Sequence, residues 1–208
     1  MAAVTPVFQA GGTSAAGNPT LHLPQSVTVG EYILLAVVQT AATTPGLPTD
    51  NLGNTWQHIG QQVNPDGLGV GLFECWVTAP GNMTITLGTI ASSAYGAFIA
   101  SNVFHQATGT KGGRPNGMIG SGDGSTLYSL CQCTNVGDLC VVLCMSLSQT
   151  TITQQTTGFT TGATISRADV SLSFGYQVAT TPSQTFLPTW AVSPSASCVV
   201  ACVSLPHA

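Results

Sequence analysis

Along this 208-residue chain, apolar and polar residues either alternate or gather into short unbroken apolar runs. No stretch sustains the period of roughly 3.6 residues that marks an amphipathic helix. The runs are rich in Val, Ile, Thr, Phe, Tyr and Trp, and turn formers such as Asn64-Pro65-Asp66-Gly67 and Ala79-Pro80-Gly81-Asn82 bound them. The pattern predicts strands near 5–9, 20–23, 32–39, 55–62, 69–77, 83–88 and 94–104. It predicts further strands near 126–133, 139–148, 157–166, 169–178, 184–187 and 196–205. Strands of this length and spacing point to an all-β fold, a β-sandwich with jelly-roll or immunoglobulin-like connections.

Two long strands are unusual in being apolar on both faces. In 139–147, Val141, Leu143, Met145 and Leu147 fall on one face and Cys140, Val142 and Cys144 on the other. In 197–205, Val199, Ala201, Val203 and Leu205 oppose Cys198, Val200 and Cys202. A sandwich strand with one wet face is polar there, so this sheet is expected to be covered on both sides, by the other half of the chain or by another subunit.

The chain also echoes itself. Val29-Gly30-Glu31 opens the apolar run Tyr32 to Val38, and Val136-Gly137-Asp138 opens Leu139 to Leu147. Leu72 to Pro80 matches Leu172 to Thr180, setting Trp76 against Tyr176, and Ser93 to Phe104 matches Ser195 to Leu205. Preserved order with slightly drifting offsets predicts two diverged pseudo-repeats, about 1–106 and 107–208, whose insertions fall in surface loops. The two-faced strands need cover, so a single compact unit over 1–208 is expected.

Charge changes the picture most. Charged residues make up 5% of the chain, against roughly 25% in an ordinary soluble domain, while the apolar fraction of 43% is normal. So neutral an exterior suggests that neighbours cover much of it. Lys111, Arg114 and Arg167 are the only Lys and Arg residues, which leaves no basic stripe for phosphates and argues against nucleic-acid binding. Met1 to Gly12 has no basic segment followed by a long apolar one, and the longest aliphatic run is Ile33 to Val38. Synthesis in a reducing cytoplasm without a signal peptide, and no membrane span, are expected.

Seven cysteines, at 75, 131, 133, 140, 144, 198 and 202, form an odd set in a chain too long to need a disulfide framework. Buried Cys acting as a small apolar residue is one reading. A cross-link is the other: an antiparallel register that sets Cys140 against Cys202 also sets Cys144 against Cys198. A zinc site is not expected, because Cys131-Gln132-Cys133 lacks the tight turn and second pair of a zinc knuckle. No other cofactor is expected.

Catalytic chemistry finds little support. The bases are His22, His58, His105 and His207, the last beside the chain end, where ordering is poor. There is no Gly-x-Ser-x-Gly turn and no carboxylate pair for glycoside hydrolysis. Asp50, Asp66, Asp123 and Asp138 sit in predicted turns, where Asp caps its own backbone. Gly120-x-Gly122-x-Gly124 reads as a flexible loop and not as a phosphate cradle, and Asn82-Met83-Thr84 has no meaning as a sequon without secretion. Trp56 and Trp76, with Trp190 and Tyr95, are candidates for stacking on sugar rings, although strand aromatics usually belong to a core.

Val-Gly-Glu/Asp before an apolar strand, Asp50-Asn51-Leu52-Gly53-Asn54-Thr55-Trp56, and Phe73-Glu74-Cys75-Trp76-Val77-Thr78-Ala79 resemble β-sandwich virion proteins of tailed phages and prophages. The resemblance spans most of both halves, although the Gly53-Asn54-Thr55-Trp56 turn has no evident counterpart near 155–165. It implies a non-enzymatic virion component, foremost a capsid decoration (cement) protein whose partners are the major capsid protein and copies of itself. The alternative it allows is a carbohydrate- or receptor-binding sandwich of a tail fibre.

Overall fold

The computed structural model describes residues 3–104, 116–162 and 164–208, with the side chains of Phe8 and of residues 116–125 outside that description. His105, Lys111 and Arg114 lie outside the described residues. No helix occurs among the described residues, so none is long and apolar enough to cross a membrane. The protein is an all-β sandwich.

The first half contributes Thr5–Ser14 (β1), Thr20–His22 (β2), Tyr32–Gln39 (β3), Thr49–Asp50 (β4), Trp56–Val63 (β5), Gly69–Trp76 (β6), Thr84–Thr86 (β7) and Ser93–Ser101 (β8). These form a large antiparallel sheet in the order β1-β8-β3-β6-β5 and a small one in the order β2-β7-β4. First strand thus pairs with last, second with second-last and third with third-last. That nesting is a long hairpin wound into two sheets, the jelly-roll arrangement.

The second half contributes Asn116–Tyr128 (β9), Cys131–Gln132 (β10), Leu139–Leu147 (β11), Thr151–Gln154 (β12), Thr160–Thr161 (β13), Ile165–Arg167 (β14), Val170–Val178 (β15), Thr185–Phe186 (β16) and Thr189–Leu205 (β17). Again the hairpin is nested: β9 pairs with β17, β10 with β16 and β11 with β15. The segments that echo one another in sequence occupy corresponding places, β8-β3-β6 in one large sheet and β17-β11-β15 in the other.

The turns before β3 and β11 follow one design. Gly30 and Gly137 both have positive φ, 90° and 95°, where a side chain is strained. In the first turn Glu31 Oε2 accepts the Thr28 N–H at 2.8 Å, and in the second Asp138 Oδ2 accepts the Asn135 N–H at the same distance. Gly30 N–H then donates to Val77 O and Gly137 N–H to Ala179 O, each at 2.9 Å. The Val-Gly-acid phrase is therefore a strand-entry device, capped by its own carboxylate.

The two large sheets pack face to face, and their shared layer holds the main core. Leu34, Ala36, Val38, Leu72 and Phe98 from one side meet Val141, Leu143, Met145, Leu172 and Phe174 from the other. At Gly96 on β8 an added Cβ would stand 2.6 Å from Phe174 Cε2, so the missing side chain lets the sheets approach. On its far side the first large sheet is covered by Leu21, Leu23, Met83, Ile85 and Leu87. The far side of the second is covered by Cys131, Cys133, Ile152, Phe186, Trp190 and Val192. The result is four layers, small-large-large-small. Both faces of β11, and of β17 from Cys198 onward, are buried as their alternation predicts, and the cover comes from within the chain.

The halves are also joined at one end: Val4 N–H donates to Gly137 O, Phe104 N–H to Pro206 O and Ala208 N–H to Asn102 O. His207 lies in this ordered end, bridging Val103, and is not a loose terminus. Asp123 and Gly120-x-Gly122-x-Gly124 correct the turn and loop expected there: their backbone belongs to β9, paired with Ser197, Cys198, Val200 and Ala196 of β17.

Candidate functional site

The densest group of chemically capable side chains is the cysteine-lined layer between the second large sheet and the β10-β16 ribbon. Cys140 on β11 and Cys202 on β17 point outward from the sheet, and Cys131 comes down on them from β10. Their three Sγ atoms lie within 4.8 Å of one another, with Cys140 and Cys202 at 3.6 Å. Beside them Ser204 Oγ donates to Cys133 Sγ at 3.6 Å. Cys144 and Cys198 share the same layer further along the sheet. All seven cysteines are buried, and no disulfide joins them.

The register differs from the one the cross-link reading needs. Cys140 stands opposite Ser204 and Cys202 opposite Val142, while Cys144 faces Val200 and Cys198 faces Ser146. Each cysteine pair is therefore diagonal, displaced by two residues, because Leu139 pairs with Leu205. Diagonal neighbours in an antiparallel sheet have Cα atoms about 7–8 Å apart. A disulfide wants no more than about 6.8 Å.

Burial sets the acidity of this layer. It pushes the Cys140 thiol up, and the hydrogen bonds with Cys131 and Cys202 add to the effect. The hydrogen bond with Cys131, then burial, raises Cys133, and the bond with Cys198, then burial, raises Cys144. Hydrogen bonds to Cys133 and Cys140 favour ionised Cys131, but its bond to Cys202 and burial outweigh them and raise it. Burial also acts upward on Cys202, yet hydrogen bonds from Cys131 and Cys140 overcome it, so this thiol is lowered. Cys75, alone in the other half, is pushed up to about 12 by burial and the nearby carboxylates of Asp50 and Glu74.

The aromatic candidates are core. Trp56 is 5% exposed, and its Nε1–H donates to Asp50 Oδ2 at 2.8 Å. This leaves no open face for a sugar. Asp50 Oδ1 also accepts the Leu52 N–H at 2.8 Å, and Asn54 Oδ1 accepts the Thr78 and Ala79 N–H groups at 2.8 Å each. The Asp50-to-Trp56 phrase is thus a brace between β4, β5 and the end of β6. Asn54, which the sequence offered only as part of a phrase, is its hub. Trp56→Phe keeps the ring packing but removes the donor, so a loss of about 1–2 kcal/mol is expected in urea denaturation. Trp76 is half-buried, edge-on to Tyr32 at 4.9 Å, while Tyr95 and Trp190 are buried.

The histidines lie apart. His22 Nδ1 shares a hydrogen bond with Thr84 Oγ1 at 2.9 Å, and His58 stacks on Phe73 at 4.8 Å, its pKa lowered by burial. His207 Nδ1 meets Asp138 Oδ1 at 2.8 Å, and no hydrogen bond joins its ring to a hydroxyl or thiol among the described residues. Asp50 and Asp138 cap backbone N–H groups as expected, although Asp50 belongs to β4.

Among the described residues the exterior carries little charge. Glu31, Glu74 and Asp138 are buried, and Arg167 and Asp169 are half-buried and paired at 3.4 Å. Among the described residues Asp66 is the most exposed of the Lys, Arg, Asp and Glu residues, while the Arg167 and Asp169 side chains are partly exposed. Exposed Tyr128, Leu130 and Leu187 flank the β10-β16 ribbon, where Ser129 N–H donates to Pro188 O.

No family model, curated protein or solved structure matches the chain.

Proposed function

We propose that this chain is a non-enzymatic structural protein of a virion, foremost a decoration (cement) protein of a tailed-phage shell, whose two halves are diverged copies of one jelly roll. The observation that carries the reading is how little charge is exposed among the described residues. A protein that stays dispersed by itself ordinarily keeps charge at its surface, whereas one that docks on a lattice benefits from faces that cost little to dehydrate. Exposed Tyr128, Leu130 and Leu187 supply apolar area of the kind that anchors contacts. Jelly rolls serve in capsid proteins and in lectins alike, so the fold leaves the choice to the surface. Enclosure of Trp56 favours the decoration reading over the sugar-binding one. The two-faced strands no longer bear on the question, since both their faces are covered inside the chain.

Density-gradient fractionation of particles from cells that make the protein tests this directly. The chain is expected to band with the shell at a fixed ratio to the main shell protein. A dispersed monomer that is absent from particles and retained by a glycan array would overturn it.

A further inference from the structure

We propose that Cys131, Cys140 and Cys202, with Cys133 beside them, form a site for one soft, thiophilic metal ion of the Cu(I) or Zn(II) class.

The spacing of the sulfurs is the first argument. Zn–S bonds of about 2.3 Å set the edge of a thiolate tetrahedron at about 3.8 Å. The Cys140 and Cys202 sulfurs stand 3.6 Å apart, and Cys131 lies within 4.8 Å of both. An ion therefore requires only small side-chain adjustments, while a Cys140–Cys202 bond has to close a diagonal pair. Thiolates select soft ions, and no carboxylate or histidine belongs to this group of ligand atoms, so Mg or Ca chemistry is excluded.

Comparison of the halves gives the second argument. By the turn and strand pairings, the counterparts of Cys131, Cys133, Cys140 and Cys202 are Leu21, Leu23, Ile33 and Ala97. All four are buried hydrocarbons that close the same junction in the first half. Packing this junction does not call for sulfur. The second half places four thiols there. An ion held by Cys131 from the ribbon and by Cys140 and Cys202 from the sheet would tie the ribbon to the sheet.

The surroundings suit a thiolate site. Ser204 Oγ–H donates to Cys133 Sγ, as partners around a metal centre commonly do. Binding releases the ligand thiol protons to solvent and leaves the oxidation state of the metal unchanged. The cysteines are enclosed, so loading accompanies folding or an opening of the ribbon.

To test this, the full chain is refolded under argon with excess reductant and either Cu(I) or Zn(II), then desalted, and metal per chain is measured. Retention of about one ion per chain is expected. Cys140→Ile with Cys202→Ala copies the first-half residues and is expected to retain about tenfold less. Cys144→Val with Cys198→Ser, which likewise copies first-half residues, is expected to retain as much as the unaltered chain. Should the Cys140/Cys202 variant not fold by far-ultraviolet circular dichroism, Cys131→Leu gives the same reading. Cu(I) held without protection of Cys133 from alkylation would mark a three-thiolate site, and Zn(II) with all four protected a tetrahedral one; either supports the proposal. No retention by the unaltered chain, equal retention by the Cys140/Cys202 variant, or a Cys140–Cys202 disulfide in the reduced, metal-exposed chain would overturn it.

Discussion

Phe174→Ala is expected to destabilise the whole chain by about 3–5 kcal/mol, and to do so in a single transition. The ring is 2% exposed and lies in the layer shared by the two large sheets, over Gly96 of the opposite half. Its removal leaves a cavity that Gly96, which has no side chain, cannot fill. Trp56 and Trp76 report on the first half and Trp190 on the second, while far-ultraviolet circular dichroism follows both. If the shared core joins the halves into one cooperative unit, the fluorescence and dichroism midpoints shift together in urea. Two separated transitions, with only the second displaced, would show that each half folds alone. The opposite change tests the same contact: Gly96→Val thrusts a branched side chain into Phe174 and Ile165, and overpacking of this kind costs about 1–3 kcal/mol.

Much of this architecture was legible because the side-chain period of a strand is unambiguous where both faces carry signal. The apolar runs of β3, β6, β8, β11, β15 and β17 marked the two large sheets, and the faces assigned to Val141 and Cys140, or to Val199 and Cys198, are those observed. What failed were strands without such a signal. The first part of β9 runs through Gly117, Gly120, Gly122 and Gly124, residues that argue for a loop until β17 supplies a ladder to pair with. Likewise β12, Thr151–Gln154, is a short polar strand held by pairing with β17.

The cysteine site was hidden for a different reason. Its ligands come from β10, β11 and β17, and chain spacing says nothing of how a ribbon folds over a sheet. Even the right pair of strands gave the wrong register, since identical residues need not face one another when diagonal neighbours also touch. That the cover of the two-faced strands lies within the chain was likewise invisible, because alternation reports that a face is buried and not by what.

Asp138→Ala is expected to cost about 3 kcal/mol at neutral pH, well above the roughly 1 kcal/mol expected for Glu31→Ala in the matching turn. The difference lies in what each carboxylate holds. Glu31 accepts the Thr28 N–H, whereas Asp138 accepts N–H groups from Thr134, Asn135 and His207, at 3.0, 2.8 and 3.0 Å, and meets the His207 ring. Its loss orphans three backbone donors and detaches the chain end that joins the halves. Burial opposes ionisation of Asp138, but the bonds from His207 and Asn135 and the His207 charge outweigh it and lower its pKa below the usual carboxylate value. A lowered folded pKa means stability that is fully present above the unfolded value, about 3.9, and lost as pH falls through the folded one. The gap between the unaltered protein and Asp138→Ala should therefore stay constant from pH 7 to about 5 and narrow in stronger acid. Denaturation curves for both proteins across that range decide it, and a gap that holds constant to the acid limit would show that the carboxylate gains nothing from its partners when ionised.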